Sequence, residues 1–191
     1  MVKKGFTMIE LIIIFTIIMI MTAALMSTSY KDRAKKEVEA TAREVVASIR
    51  ETQNNALTGK SKGADSMPCA FQFSIIGNNS YQIRYDERDL DSASCNGYSS
   101  FFNPVQLPEN ITMEVIGYDA NKNERPGVGT QIEFKVPYGD FKVLDHTDEY
   151  QGVEIIIQKS NKRYRICVHS TGLIEEKGFD DTEGSALTCV F

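Results

Sequence analysis

The feature that most constrains this chain is a run of twenty residues, Leu11 to Tyr30, that contains no charged side chain. It begins Leu11, Ile12, Ile13, Ile14, Phe15, Thr16, Ile17, Ile18. A helix rises about 1.5 Å per residue, so the run reaches roughly 30 Å, the thickness of a hydrocarbon core, and is expected to form one membrane span. Lys3 and Lys4 precede it. The positive-inside tendency then keeps the N terminus in the cytoplasm and sends everything after Tyr30 across.

A short basic stretch followed by an apolar core is also the mark of a secretory signal peptide. Two features oppose that reading. Glu10 places a carboxylate at the threshold of the apolar run, where a charge is costly unless it finds a partner. The only small-x-small pattern, at the end of the run, is the loose imitation Ser27, Thr28, Ser29.

Beyond the run, Ala34, Val38, Ala42, Val45, Ile49 and Ala56 recur at helical spacing, while Lys35, Lys36, Glu39, Arg43, Glu44 and Arg50 take other faces. This predicts an amphipathic helix over 31–58, stopped near Gly59 by the glycine-containing segment Thr58-Gly59-Lys60-Ser61-Lys62-Gly63. From Pro68 the pattern alternates. Phe71, Phe73, Ile75 and Tyr81, Ile83, Tyr85 flank Gly77-Asn78-Asn79, which reads as a hairpin. Further strands are expected over Ile111 to Ile116, Gln131 to Val136, Asp140 to Leu144, Val153 to Gln158 and Arg163 to His169. The whole is expected to be α+β: a long N-terminal helix, half transmembrane and half amphipathic, packed on a mostly antiparallel sheet. A length of 191 residues and 42% apolar content suit one domain plus this appendage.

The stretch Lys3-Lys4-Gly5-Phe6-Thr7-Met8-Ile9-Glu10-Leu11, followed by the apolar run, resembles the class III signal of type IV prepilins and type II secretion pseudopilins. The resemblance implies a leader over 1–5, cut after Gly5 by a prepilin peptidase, with N-methylation of the new terminal Phe6. It also implies a transmembrane and polymerisation helix over 6–30, and a pilin-like head over 31–191 whose β-rich part is 68–191. Glu10 becomes the fifth mature residue and the assembly residue, neutralising the ammonium of a neighbouring subunit's Phe6. Each charge then removes the other's desolvation problem. The implied location is the inner membrane, single-pass, with a periplasmic or extracellular head, and then the fibre. The implied partners are the peptidase, other pilin or pseudopilin subunits, an inner-membrane assembly platform and membrane lipid.

The later half resembles the H-type minor pseudopilins. It carries Ile132-Glu133-Phe134-Lys135-Val136-Pro137-Tyr138-Gly139, then Val153-Glu154-Ile155-Ile156-Ile157, then Tyr164-Arg165-Ile166-Cys167-Val168 with Gly172-Leu173-Ile174. A minor pseudopilin assisting protein export is therefore expected. The alternatives are a minor type IV pilin for adhesion, motility or DNA uptake, and a monomeric membrane-anchored binding module.

Four cysteines, Cys69, Cys95, Cys167 and Cys189, point to disulfides in an oxidising compartment. Three connectivities exist, of which Cys69 with Cys95 and Cys167 with Cys189 close the shortest loops. A zinc site lacks any Cys-x-x-Cys pair. An enzyme is not expected. His146 and His169 sit in no nucleophile motif, and Gly127-Val128-Gly129 lacks the rest of a phosphate loop. No cofactor is expected either, since Asp86, Glu87, Asp89, Asp91 and Glu175, Glu176, Asp180, Asp181, Glu183 follow no calcium-loop spacing. Nucleic acid is not an expected partner. The net charge is -5, and from Ser170 onward five acids face Lys177 alone, leaving Lys159, Lys162, Arg163 and Arg165 as the dense basic cluster.

Overall fold

The computed structural model describes residues 7–61, 66–89, 94–119, 124–126, 130–137, 140–145, 148–179 and 189. One helix, α1 (Met8–Thr58), opens the chain. The protein divides into two compact units, Met1–Glu37 and Val38–Phe191, so the helix residues from Val38 onward belong with the strands.

The helix ends where the glycine predicts. Gly59 takes φ +61°, its N–H donates to Ala56 O, and Lys60 N–H donates to Asn55 O. This doubled closure is a Schellman cap, which a glycine enters without the Cβ clash of the left-handed region.

The second unit holds two antiparallel sheets. The first has the order β3-β2-β1-β7-β8-β9, with β4 also paired to β2. Its strands are β1 (Ser66–Ile75), β2 (Ser80–Asp89), β3 (Tyr98–Ser100), β4 (Val105–Gln106), β7 (Gln131–Lys135), β8 (Asp140–Asp145) and β9 (Asp148–Tyr150). The second runs β12-β11-β10-β5-β6, formed by β5 (Thr112–Tyr118), β6 (Glu124–Pro126), β10 (Gly152–Lys159), β11 (Lys162–His169) and β12 (Ile174–Phe179).

Register explains the core. Phe71 lies opposite Tyr85 on one side and Phe134 on the other, and Phe73 opposite Ile83 and Ile132. In the second sheet Ile155 lies between Val115 and Ile166, and Ile157 between Met113 and Tyr164. These directly opposed apolar pairs are the unit of sheet stabilisation. They form one buried cluster with Val38, Ala42, Val45, Val46, Ile49 and Ala56 of α1. Across the cluster Ser48 Oγ and Tyr81 Oη lie 3.0 Å apart.

A second tight contact joins the sheets. Gly117 of β5 sits against the Tyr150 ring of β9, so closely that a Cβ there would fall 2.7 Å from Cε1. Gly117→Ala is expected to cost about 1–3 kcal/mol, because the buried ring has to shift out of its site. Urea unfolding would read this as a lower midpoint at unchanged slope, and an unaltered midpoint would refute the contact's importance.

Two expectations are corrected. The α+β class, with one long helix laid on one sheet, gives way to a β-rich unit of two sheets, in which only the helix residues from Val38 on share the core. The membrane span and the single-pass inner-membrane location also fall. Among the described residues no helix is long and apolar enough to cross a membrane.

Candidate assembly site

Gly5 and Phe6, the expected cleavage and methylation residues, lie outside the described residues. The third motif residue is in view. Glu10 occupies the first turn of α1, where Glu10 N–H and Leu11 N–H both donate to Thr7 O, at 3.1 and 3.3 Å. A carboxylate here is favoured by the partial positive charge of the helix start.

Around Glu10 the helix is apolar on every side. Met8, Ile9, Leu11 to Phe15 and Ile17 to Met21, Thr16 aside, are between 44% and 84% exposed. The two described hydroxyls in the run bond to the helix's own carbonyls. Thr16 Oγ1 donates to Ile12 O and Ile13 O, and Thr22 Oγ1 to Ile18 O and Met19 O. Glu10 differs, since no described side chain pairs with its carboxylate. A helix apolar all round is stable only when its whole circumference is covered, and an exposed apolar surface of this size marks an interaction site.

The four cysteines form two disulfides, Cys69–Cys95 and Cys167–Cys189. Cys69 sits at the bulge of β1 between Pro68 and Ala70, and its carbonyl accepts Val136 N–H. Among the described residues one group has metal-like proximity, Cys69, Asp86 and Cys95, but both sulfurs are spent in the disulfide. A thiolate is required for ligation, so this group holds no metal in the oxidised protein.

Among the described residues, Asp86, Glu87, Glu175 and Glu176 of the two clusters have partners of their own. Asp86 Oδ1 accepts Gly97 N–H, Glu87 accepts Tyr85 Oη, and Glu176 accepts Tyr164 Oη and faces Arg50 at 3.5 Å. Glu175 sits between Lys177 at 2.7 Å and His169 at 3.7 Å, and the Lys177 ammonium holds its carboxyl below the usual range. Asp91, Asp180, Asp181, Glu183, His146 and Gly127 to Gly129 lie outside the described residues.

Sequence reasoning missed a buried network in the second sheet. Glu154 is 1% exposed at its side chain, receives a charge-assisted bond from Arg165 and accepts Tyr118 Oη at 2.7 Å. Burial pushes the Tyr118 phenol above its ordinary range, and the hydrogen bond to the carboxylate adds to it. Tyr98, bonded to Glu133, is displaced the same way for the same reasons. The available signal was an acid inside the apolar strand Val153-Glu154-Ile155-Ile156-Ile157, which requires a buried partner. Its consequence for the basic cluster is direct: Arg165 is committed to Glu154, and Lys159 Nζ reaches Glu109 O at 3.4 Å.

Searches of protein-family models, of curated proteins and of solved structures found no match to this chain.

Proposed function

We propose that the chain is a structural subunit of a type IV pilus-like fibre, of the minor pseudopilin kind that assists protein export. The observation that carries this reading is the start of α1, an apolar cylinder exposed on all sides with Glu10 as its one unpaired polar side chain among the described residues. Bundled with the same helix of neighbouring subunits, the cylinder loses its exposed apolar surface at about 25 cal/mol per Å². Glu10 gains a partner if the next subunit begins at Phe6, because cleavage leaves an ammonium there. A buried carboxylate and ammonium stabilise an assembly only when paired, which makes the spacing of Gly5, Phe6 and Glu10 a register device.

The head serves as the part of the subunit that faces solvent and partners. Its disulfides are of the kind that persist in oxidising surroundings. DNA uptake is the weaker reading, since Arg165 is neutralised by Glu154 and the C-terminal segment is rich in acids.

The test is the mass of the mature chain. Protein recovered from its native cells is expected to lack residues 1–5 and to carry a methyl group on Phe6. A chain that retains Met1, or one that begins near Tyr30, contradicts the proposal.

A further inference from the structure

Two tripeptides of the form Asn-x-Ser/Thr occur, Asn78-Asn79-Ser80 and Asn110-Ile111-Thr112. The fold brings both to one end of the head, where Met113 N–H donates to Asn78 O and Leu107 N–H to Asn79 O. They differ in what their side chains are doing.

Ser80 is buried, and its hydroxyl donates to Ile76 O at 2.7 Å. The turn around Asn78 is closed further by Ile76 N–H to Ser80 O, besides the two bonds to Asn78 and Asn79. Asn110 and Thr112 are both exposed, and neither side chain is engaged with another described residue. Asn110 occupies the left-handed region at φ 63°, at the tip of the turn closed by Ile111 N–H to Pro108 O, a conformation asparagine tolerates better than most side chains. Beyond that bond the segment is held by Lys159 Nζ on Glu109 O at 3.4 Å, by the buried Ile111 side chain, by the bonds of Leu107 and Met113 to the Asn78 turn, and by the pairing of Thr112 with Gln158.

We propose that Asn110 is an N-glycosylation acceptor whose donor is an oligosaccharide linked through pyrophosphate to a lipid. In the transfer the Asn110 amide nitrogen forms a bond to the anomeric carbon. The bond from that carbon to the pyrophosphate oxygen breaks, the lipid pyrophosphate leaves, and the amide proton passes to a base of the transferase. The Thr112 hydroxyl is the group by which the acceptor is read. Ile111 has to leave the core for the tripeptide to bend, a local opening of the start of β5. The two tripeptides differ in the hydroxyl to be read, which is exposed and unengaged at Thr112 but buried and bonded to Ile76 O at Ser80. After transfer the sugar stands in solvent, as a bulky polar group must. Disulfides and sequon glycosylation belong to the same class of secreted chains, and both disulfides are formed here.

The experiment weighs peptides of the whole chain recovered from its native cells. Sugar fragment ions are expected on the peptide containing Asn110, lost in Asn110→Gln and Thr112→Ala, retained in Thr112→Ser and unaffected by Ser80→Ala. An Asn110 peptide that is unmodified throughout, a sugar carried on Asn78 alone, or a sugar that survives Thr112→Ala would each overturn the proposal. None of these variants touches the helix start, so the outcome is independent of the fibre reading.

Discussion

Replacing Glu154 by alanine is expected to destabilise the head by about 3–5 kcal/mol, the cost of leaving a charge buried without its partner. Arg165 has only 12% of its side chain exposed, so its guanidinium cannot recover full hydration once the carboxylate is gone. Tyr118 Oη loses its acceptor in the same step. The double variant Glu154→Ala with Arg165→Met is expected to be less damaging than Glu154→Ala alone, because an apolar replacement of the cation removes the orphaned charge. Urea unfolding of the three chains decides the matter. A single-variant loss below about 1 kcal/mol, the range of exposed ion pairs, would mean the network is solvated after all.

Reducing both disulfides is expected to cost more. The bridges span 26 and 22 residues, and loops of this size contribute about 3 kcal/mol each by restricting the unfolded chain. A combined loss of about 6 kcal/mol is comparable to the whole stability of many domains, so the reduced head should be largely unfolded at about 37 °C. Unfolding curves taken with and without reductant are compared. Coincident midpoints would contradict the expectation.

The periodicity of Val38, Ala42, Val45 and Ile49 made the packed part of α1 legible, and alternation did the same for β1, β2, β7, β10 and β11. The short strands β3, β4, β6 and β9, two or three residues each, carry too few side chains for alternation to register. β12 escaped because Glu175, Glu176 and Lys177 look like a solvated loop until Tyr164, Arg50 and His169 are seen beside them. The division into two sheets was illegible for another reason: it depends on which strands pair across long gaps, such as β1 with β7, and no local pattern encodes that. The expected membrane span rested on the uncharged run from Leu11 to Tyr30, and among the described residues no helix is long and apolar enough to cross a membrane. Glu10 stands out in the sequence by its position alone, since an isolated acid before an apolar run is costly unless it finds a partner.

The central claim is that Glu10 directs assembly of the exposed helix into a fibre. Wild-type chain and Glu10→Ala are expressed together in the native cells, fibres are sheared and collected, and the two forms are counted by their distinguishing peptides in fibre and cell pools. The account predicts that the variant is depleted from fibres about tenfold, equivalent to about 1.4 kcal/mol of lost pairing. Equal entry of the two forms, or absence of the chain from fibres altogether, would contradict it.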